Sequence, residues 1–200
     1  MKPHQRHPLP PSQTVGPYIT MALAGEGQNV VAGPDVPGTH VRIEGRVLDG
    51  DRTPIEDALV DLWQANAAGR YRHRLDARES ISLDHGFTGH GSAATEFSTG
   101  AYWFETVKPG AVPDPSGGIQ APHLNLIVQA RGMLMPSYTR LYFPEDTEAH
   151  EHDLVLSMVP ADRRHTLIAT LAAPSEGGDV PVYHFDIRFQ GDDETVFFDL

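Results

Sequence analysis

In HVRIEGRVLDG (40–50) the apolar residues Val41, Ile43 and Val47 share one parity, and the segment closes on Asp-Gly. That period of two is the pattern of a half-buried strand ending in a turn. DALVDLWQA (57–65) alternates again, with Leu59, Asp61 and Trp63 opposite Val60 and Leu62. GAYWFETVKPG (100–110) is a run of aromatic and β-branched residues closed by Pro-Gly. PHLNLIVQA (122–130), SYTRLYF (137–143), VYHFDIRFQ (182–190) and ETVFFDL (194–200) come after it. Some seven short strands at this spacing predict an all-β chain, an antiparallel β-sandwich. Helical signals are few; PADRRHTLIATL (160–171) is the one short helix expected, with Pro160 or Asp162 near its start. Residues 1–39, with LPPSQTVGPY and VAGPDVPGTH, read as an extended N-terminal arm. With no internal repeat and no second division, residues 1–200 read as a single domain.

Composition narrows the function. A chain of 200 residues with 40% hydrophobic content can bury a sizeable core. Its 19 glycines and 17 prolines favour turns over long helices. The formal net charge of −12 excludes a nucleic-acid binder, which needs a basic face. It also means that an anionic substrate requires a local Arg or Lys. There is no cysteine, so disulfides and thiolate ligands are absent. The N-terminus lacks an apolar signal region, and no run approaches 18 apolar residues. A soluble, cytoplasmic protein with no membrane partner is the expectation.

The candidate chemistry centres on QAPHLNLIV (120–128). His123 and Asn125, two apart on a strand, project from one face about 6 to 7 Å from each other. Two histidines there would suit a metal; an amide is a poor ligand for iron, zinc or copper. A hydrogen-bonded, partly buried histidine is therefore the preferred reading. Tyr71 sits among basic residues in AAGRYRHRLD, which lower a phenol pKa; a solvated basic loop is the plainer alternative. His85 and His90 lie in a Gly-rich stretch that reads as a surface loop. PEDTEAHEHD (144–153), with His150 and His152, reads as a solvated acidic loop rather than a hard-cation site.

Four segments together, PSQTVGPY, DLWQANAAGRY, TVKPG with the later APHLNL, and YHFDIRFQGDDETVFFD, resemble the intradiol ring-cleaving dioxygenases. The likeness runs from about residue 8 to residue 200 and is to the alpha chains of the family's two-chain members. The resemblance implies a catalytic beta chain that binds non-haem Fe(III) through two tyrosines and two histidines, positions that fall on Tyr71, Val112, His123 and Asn125 here. By the same resemblance, a catalytic arginine of the beta chain falls on Gln120. The chain is thus expected to bind no metal and to hold no catalytic residue. The resemblance further implies that it pairs with a beta chain in a heterodimer, several of which form a higher oligomer, and contributes one wall of the partner's site. Thr14, Gly16, Pro17 and Arg131 are the substrate-binding residues it implies, with the 1–39 arm at the interface. The implied reaction opens the ring of a small aromatic acid, 3,4-dihydroxybenzoate, with O2. Rival readings are a self-sufficient dioxygenase drawing on His73 or His85, and a non-enzymatic β-sandwich binding module.

Overall fold

The computed structural model describes residues 13, 14, 16, 22–173 and 180–199. The chain forms β1 (His40–Leu48), β2 (Leu59–Trp63), β3 (His90–Ala94), β4 (Ala101–Val107), β5 (Val112–Pro113), β6 (Ile119–Gln120), β7 (His123–Gln129) and β8 (Ser137–Tyr142). Two short helices, α1 (Thr147–His152) and α2 (Leu154–Met158), and a 3-10 turn at Arg164–Leu167 come next. β9 (Thr170–Leu171), β10 (Val182–His184) and β11 (Ile187–Arg188) complete the order.

Two principal sheets face each other. One is centred on β1, with β4 antiparallel on one edge and β10 then β11 parallel along the other. The second is antiparallel in the order β3-β2-β7-β8. Their inner faces share one core, in which Val41, Ile43 and Phe104 meet Val60, Leu62, Leu124 and Leu126. The alternation in β1, β2 and β7 places these residues inward, as the period-two pattern requires. Gly45 is needed where β10 gives way to β11: a Cβ there would lie 1.8 Å from the Phe185 carbonyl oxygen. That oxygen accepts the hydroxyl of buried Tyr102 at 2.7 Å. A second, smaller cluster of Ala121, Tyr142, Leu156, Val159 and Leu167 lies under the helices.

The structure departs from the sequence reading in several places. The helix expected over 160–171 is only the 3-10 turn, because Thr170 and Leu171 pair with β10 instead. His90 begins a strand, β3, rather than lying within a loop. The acidic stretch around His150 is helical, and Lys108 Nζ takes up two of its carboxylates, Glu145 at 2.7 Å and Asp146 at 2.8 Å. Among the described residues, one bridge, Tyr138 to Phe198, marks the expected last strand. The arm is partly woven into this chain's own core: Val31, Ala32 and Val36 are buried there, and Val31 N–H donates to Glu105 O at 2.8 Å. Pro17 lies outside the described residues.

Candidate functional site

The outer face of β7 carries His123 and Asn125, while Leu124, Leu126 and Val128 enter the core. Cross-strand pairing sets Tyr142 opposite His123, and Trp63 and Arg140 on either side of Asn125. Tyr71 arrives from a tight turn in which Asn66 Oδ1 accepts Ala68 N–H at 3.2 Å and Arg70 N–H at 2.8 Å. Gly69, at φ +80°, closes that turn; a Cβ on it would meet the Ala111 carbonyl oxygen at 2.1 Å. The close approach brings Tyr71 beside Val112, and both line one cavity of about 470 Å³ with Trp63, His73 and Arg78. All four positions singled out for a metal therefore converge.

Their chemistry is that of a hydrogen-bonded cluster. His123 Nδ1 lies 2.8 Å from Ala121 O, which fixes the proton on Nδ1 and leaves Nε2 as acceptor. Tyr71 O–H donates to that Nε2 at 3.4 Å and accepts from Asn125 Nδ2 at 3.4 Å. Burial, aided by the positive charge of Arg140, pulls the His123 pKa down to about 4. Burial also raises the Tyr71 phenol, against the pull of Asn125, Arg140 and Arg78. The expectation of a lowered phenol pKa is thus corrected. The adjacent arginines turn elsewhere, Arg70 to Ile81 O and Arg72 to Phe87 O, and desolvation outweighs the charges that remain.

These residues do not fit a ferric ion. Two neutral donors, 3.4 Å apart and bonded to each other, face an amide N–H and an apolar Val112. His73, the reserve ligand, lines the cavity, but its Nδ1 accepts Leu75 N–H at 3.3 Å and its ring stands edge-on to Trp63. His85 is exposed on its loop. His150 packs edge-on against Tyr142. Among the described residues no group of three or more His, Cys, Asp or Glu side chains is arranged to hold a metal.

A residue that sequence reasoning missed is Arg140. Its Nη1 donates to Gln120 Oε1 at 3.0 Å and to the Tyr142 hydroxyl at 3.3 Å. A guanidinium therefore stands against Gln120, the position at which the resemblance expected a lost arginine. Its only signal in the sequence was strand parity: Arg140 and Tyr142 share a face of SYTRLYF.

The other expected residues gather elsewhere. Arg131 lies eight residues from His123, roughly 25 Å along the direction of β7. Thr14 Oγ1 accepts Gly132 N–H at 2.8 Å, which ties the arm to this end of the strand. Gly16 adopts φ +69°, and a Cβ on it would meet nothing within 4 Å, so the backbone conformation, rather than space within this chain, calls for glycine there. Arg131 is 62% exposed, and its Nε lies 3.1 Å from Asp57 Oδ2.

Comparison with known proteins matches residues 16–191 to the Dioxygenase family. The chain is 38% identical to the protocatechuate 3,4-dioxygenase alpha chain of Pseudomonas putida over 204 residues, which is 96% of this chain and 97% of that one. It is 33% identical to the protocatechuate 3,4-dioxygenase beta chain of Burkholderia cepacia, covering 84% of this chain and 72% of that one. Among solved structures, catechol 1,2-dioxygenase from Acinetobacter sp. ADP1 superposes with a TM-score of 0.62 at 19% identity, over 86% of this chain and 60% of that one.

Proposed function

We propose, for a chain that belongs to the intradiol dioxygenase family, that it is the alpha subunit of a protocatechuate 3,4-dioxygenase. The family is iron-dependent. On this reading the iron sits in a beta chain, and the present chain assembles with that beta chain and lends a wall to its active site. The assembled enzyme opens the ring of 3,4-dihydroxybenzoate between its two hydroxylated carbons and places both atoms of O2 in 3-carboxy-cis,cis-muconate.

The observation that carries this reading is the division of the molecule into two places. The convergent cluster at Tyr71, Val112, His123 and Asn125 offers two neutral donors bonded to each other. The arm and Arg131 are joined at the far end of β7 by the Thr14–Gly132 hydrogen bond, with the guanidinium exposed. A positive group held apart from the chain's own cluster is of use to a neighbour's site.

In that role Arg131 supplies the positive charge that a carboxylate substrate needs on a chain of net charge −12. Thr14 holds the arm against the strand end, and Gly16 gives it a turn that other residues resist. Pro17, next in the chain, is a residue type whose ring locks its own φ and which has no N–H to satisfy. Together they orient the aromatic acid and exclude water on one side of it.

Co-expression with a beta chain tests the reading. The complex should cleave 3,4-dihydroxybenzoate and carry one iron per alpha-beta pair. The present chain purified alone should be colourless and free of stoichiometric iron. One iron per isolated chain, with a tyrosinate-to-Fe(III) absorption band, would overturn it.

A further inference from the structure

The ladder that positions the two ends of β7 also places a carboxylate against Arg131. β2 and β7 pair antiparallel, with Leu59 opposite Gln129 and Val60 opposite Val128. The same register carried two residues beyond the strand sets Asp57 opposite Arg131. The side chains meet there, Nε to Oδ2 at 3.1 Å.

The two partners are unlike. Arg131 is 62% exposed and Asp57 only 13%. The Asp57 backbone is held firmly, because Ala58 N–H donates to Thr95 Oγ1 at 3.0 Å and Ala58 O accepts Thr95 N–H at 2.9 Å. Asp57 accepts no hydrogen bond among the described residues, and its Oδ2 is fully buried. An aspartate that builds a turn behaves otherwise: Asp49 Oδ1 accepts the amides of Asp51 at 2.9 Å and Thr53 at 2.8 Å. Among the described residues, the one ion pair of Asp57 is with Arg131, and the terminal nitrogens of Arg131 have no hydrogen bond.

We propose that Asp57 is the positioning residue for Arg131: its carboxylate, 3.1 Å from Nε, holds that side of the guanidinium by charge, with no hydrogen bond among the described residues, and so turns the terminal nitrogens toward the substrate carboxylate. This rests on the proposed role of Arg131 at the shared site. Asp57 takes away some of the positive charge, but at an exposed guanidinium charge is strongly screened. Orientation is what an exposed, flexible arginine lacks, so the net effect of Asp57 is to favour binding.

The test is a double-mutant cycle in the assembled alpha-beta enzyme, with Asp57→Asn, Arg131→Ala and both together. Asn keeps the shape of Asp57 and removes its charge. Asp57→Asn should raise KM for 3,4-dihydroxybenzoate by about two- to fivefold and leave kcat within about 1.5-fold. KM for catechol, which has no carboxylate, should not move, and neither should thermal melting of the assembly. The double variant should be no worse than Arg131→Ala alone. An unchanged or lower KM, additive losses in the cycle, or an equal loss with catechol would each overturn the proposal while the role of Arg131 stands. If Arg131→Ala itself spares the carboxylate substrate, the reading of Arg131 fails and the role of Asp57 fails with it.

Discussion

His123 Nε2 and the Tyr71 hydroxyl face each other at 3.4 Å, while the far side of the imidazole is committed to Ala121 O at 2.8 Å. The ring is thereby held neutral, and protonating it would place a charge beside Arg140 in a buried setting. Its pKa falls from 6.5 to about 4, first through desolvation and then through Arg140. Between these values the unfolded chain binds more protons than the folded one, so stability rises with pH. The contribution is complete above about pH 6.5 and is lost as the pH falls toward 4; it amounts to about 3 kcal/mol. His123→Gln should remove that part of the slope. Urea titrations of both proteins at pH 7 and pH 4.5 check it: the gap between the two pH values should shrink in the variant.

Tyr71→Phe should leave ring cleavage and iron content of the alpha-beta complex unchanged. The bonds lost are both 3.4 Å long and neutral, and Asn125 keeps its second acceptor, Trp63 O at 3.3 Å. The ring keeps its parallel neighbour Trp63, with centroids 5.9 Å apart. The stability cost should be about 1 kcal/mol or less. Steady-state kinetics and a thermal melt of the complex measure both quantities; a large fall in kcat would make the cluster part of the reaction.

Alternation was enough to read β1 and β2, and aromatic and β-branched residues were enough to read β4, although Leu59 and His123, on the outward parity of β2 and β7, are buried as well. It failed for β3, since HGSAA has small residues where the pattern needs large apolar ones. It failed over 160–171 because pairing of Thr170 and Leu171 with β10 overrides the local helical pattern. The resemblance singled out Tyr71, Val112, His123 and Asn125, and His123 and Asn125 do share a strand two residues apart. Local composition misled at Tyr71, where neighbouring arginines turn to backbone carbonyls and burial decides the phenol. The contacts of Thr14 with Gly132, Asp57 with Arg131 and Arg140 with Gln120 join distant segments. They become visible only once the register of the second sheet and the path of the arm are known.

Asp153 should be among the costliest polar positions to lose. It is fully buried and accepts the amides of Leu156 and Ala121, both at 2.8 Å, and the Tyr142 hydroxyl at 3.4 Å. It thus starts α2 and ties that helix to the approach to β7. Asp153→Ala removes a helix cap and leaves a buried strand-end amide unsatisfied. A loss of roughly 2 to 4 kcal/mol is expected. Chemical denaturation measures it, and a loss under about 0.5 kcal/mol, the level of an ordinary surface change, would contradict this role.

Arg131→Ala, made in the assembled enzyme, addresses the shared wall directly. The substrate carries a carboxylate, and the chain's charge of −12 repels it at long range, so attraction has to come from particular residues. A hydrogen bond to a charged group is worth roughly 1.5 to 3 kcal/mol, or about 10- to 100-fold in a specificity constant. kcat/KM for 3,4-dihydroxybenzoate should therefore fall by about that factor. Iron content and assembly should hold, because the Arg131 side chain is 62% exposed. Catechol is the control: without a carboxylate it gives Arg131 nothing to bind, so its loss should be much smaller. Equal losses on the two substrates would make Arg131 part of the general architecture of the wall. No loss on either would leave it an exposed arginine at a strand end, neutralising the buried carboxylate of Asp57 and nothing more.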